Sequence, residues 1–292
     1  MSADAPYQGH DNILAARTAD LYCVEPRRTI GNRMICNQVI VGDKPAELRA
    51  FQLLALAIHE AQERLHPLAV HETQMQVSKQ SFLKARVRLT GALLVAAPRA
   101  LALASCGGLA TPLEVIALSA RNVFEIWLRL EYILSAEANC QSWREEGLSD
   151  QIQVYEAMLT LDGLDASKAT IRAEVERVKR HGVRQRLGGG RKPLRTVDLA
   201  KTTGHKAEYD GFYKLYSKLV HPSSWSVNWP QAVSSPMYRM ALARNVQLYG
   251  WNILKAVESA FSISAEECYK AANKRLRALN HAPPETSHTV LN

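Results

Sequence analysis

Three groups of residues have types and spacings suited to chemistry. Arg121 and Glu125 are four apart, so on a helix they share a face, which Arg129 and Tyr132 continue. Burying a charge is costly unless it is paired. The pair therefore either neutralises itself as an internal salt bridge that fixes register or lines a polar pocket. Tyr213, Ser217 and His221 are also spaced by four and stack on one helical face. A histidine at a helix C-terminus is favoured in its charged form by the helix dipole, which suits proton transfer or a phosphate oxygen. The structural alternative is a capping histidine on free carbonyls ahead of Pro222. The third group is basic: Arg177, Lys179, Arg180, Arg184, Arg186, Arg191, Lys192 and Arg195, broken by Gly188, Gly189 and Gly190. Forked guanidinium donors and glycine backbone suit a phosphate-bearing partner, although a solvated connector has the same composition.

Other chemistries lack their context. Ser217 and His221 have no strand-turn-helix elbow and no orienting acid, so a hydrolase triad is not expected. Arg186 to Lys192 lacks the Gly-Lys-Ser/Thr ending of a P-loop. His59 and His66 lie two helical turns apart, too far to share one ion, and Pro67 separates both from His71. No metal and no cofactor is expected.

The elements that position these residues read as helices. Leu48, Phe51, Leu54, Ile58 and Ala61 give a helix from Pro45 that stops at Pro67. A second runs from near Glu72 to Pro98, which should kink or end it. Thr111, Pro112 and Glu114 read as a cap, first turn and capping box for a third, reaching about Leu134. That helix is apolar nearly all round, with Val115, Ile116, Val123, Phe124, Trp127 and Ile133 among its residues, so it belongs in the centre of the protein. Further helices are expected over 137–162, 166–181, 197–202, 207–220 and 236–261, and from Ser264 with Glu267 to about Leu279. The fold class is all-α, a multi-helix bundle around a buried central helix. Its organisation is an N-terminal arm 1–44 in which 38–41 reads as a short strand or as part of a packed arm, a single helical domain 45–280 with a mobile basic loop at 177–195, and a disordered tail 281–292.

Composition bounds the rest. A hydrophobic fraction of 47% with 22% charge allows a sizeable core. The apolar stretch Leu89 to Leu118 is interrupted by Pro98, Arg99, Gly107, Gly108 and Glu114 before it could span a bilayer, so no membrane partner is expected. The five cysteines are scattered without a Cys-x-x-Cys pair, and the first residues lack a basic region followed by an apolar one. Reduced thiols in a cytoplasm follow. A net charge of +8 favours RNA, DNA or a nucleotide as partner, and bundles of this kind often pair as homodimers.

The segment Ala120-Arg121-Asn122-Val123-Phe124-Glu125 leading to Tyr132, with Tyr213, Tyr216, Ser217 and His221-Pro222 further on, resembles an uncharacterised prokaryotic family of all-helical domains of unknown function. The resemblance covers roughly residues 80–262. More distantly it resembles the HEPN superfamily of helical bundles, many of which are ribonucleases of toxin and antiviral systems with an Arg and a His on one helix. Here the matching window before His221 holds Lys214, Leu215 and Tyr216 and no arginine. HEPN-type cleavage therefore requires Arg121 to supply the cation from the central helix. The expectation is one internal pocket formed by Arg121, Glu125, Tyr213, Ser217 and His221 for a phosphate-bearing ligand. In it His221 acts as acid or base, and Arg180, Arg184, Arg186, Arg191, Lys192 and Arg195 provide electrostatic capture. The other reading is a non-enzymatic regulatory or interaction protein in which the same residues form a structural network.

Overall fold

The computed structural model describes residues 44–71, 79–106, 111–163, 165–188, 193–221, 223–230 and 235–281. The expected arm, its strand and the tail lie outside the described residues, as do Arg191, Lys192 and Pro222. All regular structure among the described residues is helical, packed as one bundle. The first helices are α1 (Lys44–His71), α2 (Lys79–Leu103), α3 (Leu113–Ser135), α4 (Glu137–Leu159) and α5 (Lys168–Arg184). Then come α6 (Thr196–Thr202), α7 (Lys206–Glu208), a π-helical turn (Tyr209–Tyr213), α8 (Lys214–Val220), α9 (Ser224–Asn228), α10 (Pro236–Phe261) and α11 (Ala265–His281). No described helix is long and apolar enough to cross a membrane.

The all-round apolar helix is the centre. α3 packs against α2, α4, α6, α8 and α10, and Ala120, Val123, Phe124, Leu128 and Ile133 are fully buried in the core. α1 closes the far side against α2, α10 and α11. At Gly250 on α10 a Cβ would stand 3.4 Å from Leu54 and 3.6 Å from Leu101, ordinary van der Waals contact, so α10 packs closely here without requiring glycine. The Ser119 hydroxyl donates to the Ala100 carbonyl at 2.7 Å, satisfying one of the acceptors that the end of α2 leaves free and pinning α3 to it.

Pro67, expected to stop a helix, and Pro98, expected to kink or end one, both lie inside a helix. Pro67 removes the hydrogen bond to the carbonyl of Glu63, an exposed residue near the end of the helix. Pro98 sits between fully buried Leu94 and Leu101. Their burial contributes about 1.5–3 kcal/mol each, enough to offset the roughly 3 kcal/mol of an interior proline. The third helix starts one residue later than the expected cap at Thr111 implies. Pro112 is the N-cap, with no side-chain cap, while Thr111 is buried and its carbonyl accepts from Arg239 at 3.0 Å. At the other end of the chain, Ser264 does accept the Glu267 N–H at 3.2 Å, and the Glu267 carboxylate turns to Arg64 at 2.8 Å.

α5 continues to Arg184, so Arg177, Lys179, Arg180 and Arg184 are helical and the connection begins only at Gln185. Buried Ile171, Val175 and Val178 give this stretch an apolar stripe against α4 that the basic composition hides. Gly182 completes the contact, because a Cβ there would lie 2.5 Å from Leu148.

Candidate functional site

Arg121 and Glu125 share one face of α3, and the i,i+4 geometry closes a salt bridge: Arg121 Nε donates to Glu125 Oε1 at 3.0 Å. The same oxygen accepts the Tyr213 hydroxyl at 2.8 Å, and the guanidinium carbon lies 5.1 Å from the centre of the Tyr213 ring. Burial disfavours the Arg121 charge, but Glu125 with Tyr213 outweighs it and leaves the pKa raised, so the guanidinium stays cationic. Burial, with Glu125 adding to it, also pushes the Tyr213 phenol up, which keeps it a neutral donor at ordinary pH. Arg121 Nη1 approaches His221 Nε2 at 3.4 Å, a long contact in which the guanidinium donates and the imidazole accepts. Two side chains separated by 100 positions thus meet across the α3–α8 contact.

The docking of α8 makes this possible. Tyr216 and Leu219 are buried against the core, and the Tyr216 hydroxyl accepts from Asn245 of α10 at 2.9 Å. Burial pushes the Tyr216 phenol well above its ordinary value, and the neighbouring Tyr249 is pushed up to about 12, so both remain neutral core residues. Tyr213 enters from the π turn, where it stacks on Tyr209 with centroids 4.7 Å apart. Single π turns occur often at functional sites, and a 3.6-residue periodicity does not reveal them.

His221 has left the helix, with extended backbone at φ −105° and ψ 140°, and its N–H bonds the Ser217 carbonyl at 3.2 Å. Its exposed ring reaches Arg121 and does not cap carbonyls as the structural alternative supposed. Ser217 is half-buried and takes part through its carbonyl. The expected internal pocket is instead a partly open ledge: the Arg121 and Glu125 side chains keep 27% and 34% exposure, which lets water solvate their charges. A groove of about 590 Å³ between α2, α3 and α4 reaches Glu125 and Asn122, but neither Arg121 nor His221 lines it.

Arg129 and Tyr132 do not join the ledge. Arg129 pairs with Glu146 of α4 at 3.0 Å, lies over Trp143 and donates to the Leu194 carbonyl at 2.9 Å. The Tyr132 hydroxyl donates to Ser142 at 3.2 Å. Through Leu194, the end of the basic segment is tied to α3, and Thr196 stands beside the Tyr213 hydroxyl. Arg195 is exposed and paired with Asp198 at 2.7 Å. Arg180, Arg184 and Arg186 are exposed.

A second polar cluster is not foreshadowed by any sequence motif. Glu131 accepts from Trp127 Nε1 at 2.8 Å and bonds His205 Nε2 at 2.7 Å; Glu208 lies 3.7 Å from the other ring nitrogen. Trp127 and Glu131 at four-residue spacing on α3 are a readable signal, but the arrival of His205 is not. A Schellman turn aims it: His205 N–H bonds Ala200 at 2.7 Å, Gly204 N–H bonds Lys201 at 3.2 Å, and Gly204 adopts φ +82°. Burial lowers the His205 pKa, but Glu131 and then Glu208 outweigh it, so the folded-state value is raised above 6.5. A raised histidine contributes stability that is full below about pH 6.5 and lost as pH rises through the folded pKa. Thermal melts should therefore show a fall in Tm as pH rises above about 6.5 that His205→Gln reduces.

Residues 103–229, a stretch that contains Arg121, Glu125, Tyr213, Ser217 and His221, match the model of a family described as a family of unknown function (DUF5677). No curated protein and no solved structure matches the chain.

Proposed function

We propose that this protein binds RNA through its phosphodiester backbone at the Arg121–His221 ledge and cleaves it there. The observation that carries the reading is the 3.4 Å approach of a fixed, cationic guanidinium to an exposed imidazole. A guanidinium suits a phosphate oxygen, and an imidazole suits the adjacent proton. In the step, the 2′-hydroxyl oxygen attacks phosphorus and loses its proton to His221. The bond from phosphorus to the 5′-oxygen breaks, and that oxygen takes a proton from water at the open ledge. The products are a 2′,3′-cyclic phosphate and a 5′-hydroxyl. Arg121 stabilises the charge that develops on the phosphorane. In HEPN-like terms, Arg121 supplies from α3 the cation that the helix of His221 lacks.

The net charge of +8 and the exposed Arg180, Arg184 and Arg186 support an RNA partner. Binding of a 2′-O-methyl oligonucleotide, which cannot be cleaved, tests this half of the reading. Arg121→Ala should weaken it at least tenfold, and unchanged affinity would remove Arg121 from the site. Salt provides a further expected result. Replacing Arg180, Arg184 and Arg186 together by glutamine should flatten the slope of log K against log salt by about 0.7 for each phosphate that the variant no longer neutralises. An unchanged slope would show that the RNA does not track these arginines.

A specific observation favours the non-enzymatic reading: Glu125 already receives both Arg121 and Tyr213, so much of the ledge is internally satisfied. On that reading Arg121→Ala and Glu125→Gln alter stability, and the wild-type protein has no affinity for RNA.

A further inference from the structure

We propose that a second pocket, around α3 from Arg121, binds a small organic anion through a carboxylate or phosphate group. The pocket lies between α2, α3 and α10, with a volume of about 490 Å³ that falls in the range of small-molecule sites. Arg86 enters from α2, Trp127 and Glu131 from α3, and Asn252, Lys255 and Ser259 from α10.

The charge balance of these groups selects an anion. The Arg86 guanidinium carbon lies 5.9 Å from the centre of the Phe82 ring and 5.5 Å from that of Phe261, so aromatic faces hold it. Its Nε is shielded from solvent yet has no hydrogen-bond partner, and Arg86 makes no ion pair among the described residues. Arg86 lines the pocket, and a guanidinium without a carboxylate partner presents forked donors suited to an oxyanion. The acid in the pocket does not compete for Arg86, because Trp127 and His205 occupy the two oxygens of Glu131. Lys255 stands at the wall paired with Glu258, which leaves Arg86 as the cation there without an acidic partner among the described residues. Asn252 and Ser259 supply neutral donors beside these charges. The site is independent of the RNA reading, since it shares no residue with the ledge.

Calorimetric titration of the full chain with inorganic phosphate, adenosine monophosphate and benzoate tests the proposal. At least one probe should bind saturably. Phosphate and the nucleotide report a phosphate preference, and benzoate a carboxylate preference. Arg86→Met, which keeps the packing on Phe82 and Phe261, should weaken that binding at least tenfold, whereas Arg121→Ala should leave it unchanged. If Arg86→Met fails to fold, Ser259→Trp at the exposed rim fills the pocket and should weaken binding to the same extent. Absence of binding by all three probes, or equal binding by wild type and the folded Arg86 or Ser259 variant, would overturn the proposal.

Discussion

Replacing His221 by alanine is expected to reduce RNA cleavage by about 10²–10⁴-fold, the contribution of a positioned acid or base. His221 is exposed and lies outside α8, so its removal leaves the buried anchors Tyr216 and Leu219 in place. Folding and RNA affinity should therefore change little, and the loss should fall on kcat. Arg121→Ala should differ in kind. It removes charge stabilisation from the transition state, weakens ground-state phosphate binding and leaves Glu125 with Tyr213 as its remaining donor, so both kcat and KM should worsen. Single-turnover kinetics on a defined oligonucleotide separates these effects. A His221→Ala protein that cleaves at the wild-type rate would remove the imidazole from the chemistry.

The second large effect concerns stability. Phe124 is fully buried, with ring centroids 4.9 Å from Tyr249, 6.1 Å from Trp127 and 6.4 Å from Tyr213. Truncation to alanine removes its burial and leaves a cavity at the junction of α3, α10 and the π turn, at an expected cost of about 3–5 kcal/mol. That is a large share of the roughly 5–15 kcal/mol by which domains are ordinarily stable. Urea unfolding should show a lower midpoint with an unchanged slope. A cost below about 1 kcal/mol would mean that the aromatic cluster repacks around the gap. Phe124 lies between Arg121 and Glu125 in sequence and against Tyr213 in space, so the same variant should also loosen the ledge.

The helices are legible where local rules and burial agree. α10 begins at Pro236, the start expected for it, where Ser235 accepts the Met237 N–H at 3.3 Å and proline fits the first turn. The apolar circumference of α3 announces its central position, and the four-residue spacing announces the Arg121–Glu125 bridge. Local rules fail where tertiary contacts override them. Pro98 is carried by the burial of Leu94 and Leu101, and Thr111 is drawn into the core with its carbonyl on Arg239. The approach of His221 to Arg121 obeys no local spacing, because it depends on how Tyr216 and Leu219 seat α8 against the core. The π turn under Tyr213 and the Gly204 turn behind His205 are backbone departures that side-chain periodicity does not encode. Spacing alone makes the polar seam continuous along α3, but α4 takes Arg129 and Tyr132 out of it.

The most direct test is incubation of a mixed RNA pool with the folded wild-type protein in the presence of chelator, beside the Arg121→Ala and His221→Ala variants. The ledge chemistry requires cleavage by wild type that leaves cyclic phosphate ends and disappears in both variants. Intact RNA after incubation with the folded wild-type protein, or equal cleavage by all three proteins, would contradict it.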